Sequence, residues 1–134
     1  MIDLNRYTQK SREALAAAQS LALRRGNQKV DVEHLLAVML EQEEGIAPRL
    51  LERAGISTAA VRSRIEAELD RVPRVSGPGA GDQVYITTDL NRVLAEAESE
   101  AQRLKDDYVS VEHLLLGILG AAKATPAGRV LAEV

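Results

Sequence analysis

The chain has 134 residues, of which 46% are apolar but only 2% aromatic, with neither Phe nor Trp. Its core must therefore come from Leu, Ile, Val and Ala, which suits close-packed helices better than a β-sandwich. A net charge of −3 with no basic block argues against nucleic acid and anionic membranes as partners.

The absence of cysteine removes disulfide and thiol chemistry from consideration. No signal peptide opens the chain, and no apolar run approaches the ~20 residues of a bilayer span, so the expected compartment is the cytoplasm. The chain is of a length for one domain.

In chain order, Thr8 is placed to cap a first helix over about Gln9 to Arg25. Leu15, Ala18 and Ala22 mark one face of it, and Gly26 supplies a left-handed stop. Asp31 caps a second helix, about Val32 to Gln42, with Leu35, Leu36, Met39 and Leu40 as its buried stripe. A third helix runs from about Ala47 to Ala54, with Pro48 tolerated in its first turn and Gly55 after its end. Ser57 caps a fourth, about Thr58 to Leu69, whose inner face carries Val61, Ile65 and Leu69.

Composition then shifts. Pro73, Gly77, Pro78, Gly79 and Gly81 make residues 71–85 a linker. Thr87 starts a fifth helix marked by Leu90, Leu94, Ala97, Ala101 and Leu104. Ser110 caps a sixth, about Val111 to Leu119, and Thr125 a seventh that begins at Pro126.

The chain repeats itself. Val32-Glu33-His34-Leu35-Leu36 returns 79 residues later as Val111-Glu112-His113-Leu114-Leu115. At that offset 14 of the 33 residues from 8 to 40 equal their partners, and with one extra residue Arg49 and Leu51 meet Arg129 and Leu131. This divides the chain into repeat one (5–70), the linker, and repeat two (86–134), expected to pack about a pseudo-twofold axis. The fourth helix has no counterpart in the second repeat.

No phosphate loop, nucleophile elbow or HExxH motif is present. The two Glu-His pairs invite a metal reading, but a metal needs three or four converging ligands. A histidine in the third helical position is expected instead to satisfy the first turn. Glu33 and Glu112 would complement a helix dipole, worth about 0.3–1 kcal/mol at an exposed site, or receive a cation or guanidinium. Thr8 and Thr87, the paired caps, carry the same two readings. Asp106 and Asp107 precede the sixth helix, where acidic residues are usually solvated. Leu21 and Leu23 do not share the face of Leu15, Ala18 and Ala22. With Tyr7, they point either to an apolar peptide groove between the repeats or to mutual burial.

With these features in view, the sequence resembles the N-terminal domain of the Clp AAA+ ATPases, most closely of the ClpB branch, with ClpC next. The carriers are Asn5-Arg6-Tyr7-Thr8, the run from Ala17 to Leu23, both Glu-His-Leu-Leu motifs, Leu50 to Gly55, and Asp70 to Gly77. The resemblance implies an all-α fold of two four-helix repeats, here without the last helix. It implies a non-catalytic module, without cofactor or metal of its own, joined to AAA+ rings that bind ATP and Mg. It further implies chaperone work in the stress response: engaging unfolded or aggregated polypeptides and passing them to the rings, in cooperation with the DnaK system. The isolated domain would be monomeric and the full-length protein hexameric. By position, Thr8, Asp106 and Glu112 match polar residues tied to substrate handling, and Leu94 matches a groove-lining position. In ClpC-like domains the paired threonines and glutamates, here Thr8, Thr87, Glu33 and Glu112, receive phosphoarginine or adaptors. Val32 and Val111 stand where such chains usually carry Thr.

Overall fold

The computed structural model describes residues 3–42, 45–74, 85–121 and 125–133. After a single 3-10 turn at Leu4–Arg6, the elements are α1 (Gln9–Arg24), β1 (Lys29–Val30), α2 (Val32–Glu41), α3 (Ile46–Arg53) and α4 (Thr58–Asp70), then β2 (Tyr85–Ile86), α5 (Thr88–Arg103), α6 (Val111–Gly120) and α7 (Pro126–Glu133). Among the described residues the chain is all-α apart from these two dipeptide strands. The expected helices are present within a residue or so at most ends. One exception is instructive: Leu104 caps the end of α5 at 47% exposure instead of extending its buried stripe.

Local chemistry explains the helix starts. The Thr8 hydroxyl accepts from the Ser11 amide, and the Thr87 hydroxyl from the Leu90 amide. Each satisfies one of the orphan donors of a first turn. Both α1 and α5 end the same way, with Asn27 N–H donating to the Ala22 carbonyl and Asp106 N–H to the Ala101 carbonyl. That closure needs a left-handed residue. Repeat one supplies Gly26 (φ 70°), whereas repeat two places Lys105 there (φ 61°).

The core forms around α2. Every residue from Val32 to Leu40 is buried, and the helix packs on α1, α3, α4, α5, α6 and α7. A helix apolar on all sides belongs at the centre of a fold. Its repeat partner α6 is less enclosed, with Leu116 and Leu119 near 40% exposed. α5 and α6 approach closely through Gly117: a Cβ there would stand 2.6 Å from the Val93 carbonyl oxygen.

The repeats are also stitched by strand pairs that the sequence did not announce. β1 of repeat one pairs in parallel with β2 of repeat two, Val30 opposite Ile86. The twofold-related exchange pairs Tyr7 with Val109. The Thr8 amide donates to the Val109 carbonyl at 3.0 Å, and its counterpart, the Thr87 amide, to the Val30 carbonyl at 3.2 Å. Tyr85 therefore lies in a strand rather than in the linker, and positions 75–84 of that linker fall outside the described residues.

Candidate functional site

An apolar groove of about 320 Å³ opens along one side of this seam. α1 contributes Arg12, Leu15, Ala16, Ala18 and Gln19; Val30 and Ile86 come from the strand pair, Leu90 and Leu94 from α5, and Leu4 from the turn ahead of α1. Its floor is sealed, since Ala18, Val30, Leu90 and Leu94 are all at most 4% exposed. Its lips are wet: Leu4 is 49% and Ile86 44% exposed. Such a mostly apolar cleft with a few polar groups at its edge is the usual form of a small binding site.

Of the residues singled out in the sequence, Leu94 lies in the groove floor. Thr8, Asp106 and Glu112 do not line the groove. Thr8 is bonded to Val109 beside the Tyr7–Val109 bridge, and Asp106 to His113 in the first turn of α6. Glu112 is exposed in the first turn of α6. Leu21 packs against the core and Leu23 reaches solvent, so the apolar surplus expected of them at the groove comes from Leu15 instead.

Glu33 departs from the expectation of an accessible first-turn carboxylate. It is 5% exposed, and its pKa rises to about 7, first because burial penalises the charge and then because Asp31 lies close. Its partner threonine is engaged as well, since the Thr87 hydroxyl donates to Asp31 Oδ1 at 2.8 Å. Glu33 and Glu112 are equivalent by sequence and opposite by environment.

Both histidines are satisfied first-turn residues. His34 Nδ1 accepts from the Asp31 amide and His113 Nδ1 from the Ser110 amide, each at 2.9 Å. The proton therefore sits on Nε2, which donates to Asn27 Oδ1 in one repeat and Asp106 Oδ2 in the other, both at 2.8 Å. Burial holds the His34 pKa below its ordinary value. With both ring nitrogens engaged, neither histidine presents a lone pair to a metal, and no group of three or more potential ligands occurs among the described residues. No helix among them is long and apolar enough to cross a membrane.

Residues 6–134 match the family model of the Clp repeat (R) N-terminal domain. Over 133 residues the chain is 44% identical to the chaperone protein ClpB of Nitratidesulfovibrio vulgaris, covering 98% of this chain and 15% of that one. It is 40% identical to ClpB of Bacillus cereus over 116 residues, 86% of this chain and 13% of the other. The chain thus spans about one seventh of the length of these relatives. Among solved structures, the N-terminal domain of the ClpV1 ATPase of E. coli superimposes with a TM-score of 0.83 at 24% identity, covering 98% of this chain and 79% of that one. The N-terminal domain of ClpD from Arabidopsis thaliana gives 0.68 at 22%, covering 97% and 87%. The helices among the described residues, the internal repeat and these matches agree: the chain belongs to the Clp N-terminal domain family and is similar to the N-terminal part of ClpB chaperones.

Proposed function

We propose that this chain is the substrate-binding module of a ClpB-like disaggregase. Its groove holds exposed apolar stretches of unfolded or aggregated polypeptide and presents them to AAA+ rings elsewhere in the protein, which bind and hydrolyse ATP in cooperation with the DnaK system. The module itself performs no chemistry. The observation that carries this reading is the groove between α1 and α5, with a buried aliphatic floor and exposed apolar lips. A surface of that kind removes apolar side chains from water at ~25 cal/mol per Å², without demanding a fixed sequence. A ClpV N-domain of the same fold, 19% identical with a TM-score of 0.76, has been solved in complex with a VipB peptide. That supports a peptide-holding role for the scaffold.

The test is fluorescence anisotropy of a labelled, permanently unfolded, apolar-rich polypeptide. Binding in the micromolar range or weaker is expected, with modest salt dependence and strong loss on Leu15→Glu at unchanged helicity. Binding that is absent, or that vanishes with salt while ignoring Leu15→Glu, contradicts the proposal. A phosphoarginine or adaptor site ranks second. Of its four polar groups only Glu112 is exposed, since Glu33 is buried, Thr87 is bonded to Asp31 and the Thr8 hydroxyl to Ser11. Phosphoarginine amide at millimolar concentration would then move the amide signal of Glu112 and leave that of Glu33 in place.

A further inference from the structure

The repeats differ at a position that faces this groove. Ile86 of repeat two corresponds to Tyr7 of repeat one, 79 residues earlier. Both sit in the same place in their parallel strand pairs, Ile86 opposite Val30 and Tyr7 opposite Val109. Tyr7 is 2% exposed, and its hydroxyl donates to Glu98 of α5 at 3.1 Å. The residue that corresponds to Glu98 is Gln19 of α1, and Gln19 lines the groove beside Ile86. Leu15 and Leu94, also in that lining, correspond to each other. The two sides of the seam are thus one seat built twice. One is filled by an aromatic ring from the chain itself. In the other the shorter Ile86 leaves the space open, and Gln19 offers its amide where Tyr7 finds Glu98. At the groove's edge Arg12 forms no ion pair among the described residues.

Resting on the proposed peptide-holding function, we infer that this groove takes an aromatic side chain of the client, a tyrosine by preference, from a segment with a carboxylate next to it. The ring fills the seat that Tyr7 fills on the related side. Its hydroxyl meets Gln19, and the neighbouring carboxylate pairs with Arg12. Ile86 is the residue that keeps the seat vacant and so sets the specificity.

The test uses three capped hexapeptides of alanine. The first carries an adjacent Glu-Tyr pair, the second Glu-Leu and the third Lys-Tyr. Each is titrated into the ¹⁵N-labelled chain while the amides of Leu15, Gln19, Ile86 and Leu94 are followed. The Glu-Tyr peptide should bind about 2–10-fold more tightly than the Glu-Leu peptide, the increment of one hydrogen bond from its hydroxyl to Gln19. It should also exceed the Lys-Tyr peptide, and Arg12→Glu should invert that second preference. Ile86→Tyr should supply the ring internally and lose the shifts of all three. Equal or tighter binding of the Glu-Leu peptide overturns the inference, as does a charge preference that survives Arg12→Glu. If an unfolded polypeptide shifts these amides while the three peptides are alike, the inference fails and the peptide-holding function stands. If the unfolded polypeptide leaves them unmoved, the function fails with it. The comparison among peptides is made on the unaltered chain, so a misfolded Ile86→Tyr protein does not remove the test.

Discussion

Glu33 should make the stability of this chain fall as pH rises through neutrality, and Glu33→Gln should remove most of that fall. The carboxyl is 5% exposed and its pKa lies at about 7, against 4.5 for the ordinary side chain. Burial is the first cause and the charge of Asp31 the second, with Glu68 and Asp89 adding to it. A folded-state pKa above the unfolded one means that the folded chain binds the proton more tightly. The penalty is therefore nil well below pH 4.5, grows between 4.5 and 7, and is complete above 7. A gap of about 2.5 pH units is worth roughly 3 kcal/mol in full. Between pH 5 and pH 8 the two-state linkage expression gives a loss of about 2.5 kcal/mol from this one group. Gln keeps the shape and part of the hydrogen bonding but carries no proton to lose. Urea unfolding of both proteins at the two pH values isolates the effect, because other titrating groups cancel in the difference. The Gln variant should gain about 2–3 kcal/mol relative to wild type on going from pH 5 to pH 8. If the two proteins lose stability in parallel, Glu33 is not the buried acid described here.

Three further changes test the helix ends and the helix contact. Lys105→Gly removes a side chain from a left-handed backbone (φ 61°). It should raise stability by up to about 1 kcal/mol in urea unfolding, and a loss would show that Lys105 makes a contact outweighing the strain. Gly117→Ala drives a Cβ to 2.6 Å from the Val93 carbonyl. Overpacking of this kind should cost more than the helix propensity gained, lowering stability by about 1–2 kcal/mol, and a more stable Ala variant would refute the close contact of α5 and α6. Asp106→Ala leaves the buried His113 Nε2–H without its acceptor, a cost of about 1–3 kcal/mol. Asp106→Asn should cost far less, because Asn27 does the same work in repeat one. Equal effects of the two substitutions would sink that reading, and client binding lost only in Asp106→Ala would make Asp106 a positioning residue rather than a contact.

The repeat, the helix order and most caps were legible in the sequence because they rest on local rules. Thr8 and Thr87 cap, the histidines satisfy first turns, and Pro48 and Pro126 sit where a missing amide does no harm. The α2 helix announced its central place through its apolar composition. What the sequence concealed depends on contacts between the repeats. The strand pairs are two residues long, too short for any period to reveal, and join segments far apart in the chain. Glu33 and Glu112 are identical in sequence context, yet only tertiary packing decides that one is buried while the other meets water. The groove residues Arg12, Gln19 and Ile86 break the repeat instead of obeying it. A search for differences between copies, Tyr7 against Ile86 above all, was the signal that could have found them. Leu104 went astray for a related reason: periodicity carried the stripe to the C-cap, one residue past Arg103, where the chain turns into the left-handed Lys105 and leaves the buried face.

The most direct test of the account is a ¹H–¹⁵N shift map of the chain with a permanently unfolded, apolar-rich polypeptide added. Shifts confined to Leu15, Gln19, Val30, Ile86, Leu90 and Leu94, the two walls and floor of the groove, are the predicted result. Shifts gathered instead at Glu112 and the start of α6, with the groove signals unmoved, would contradict the claim that this groove is where the module holds its clients.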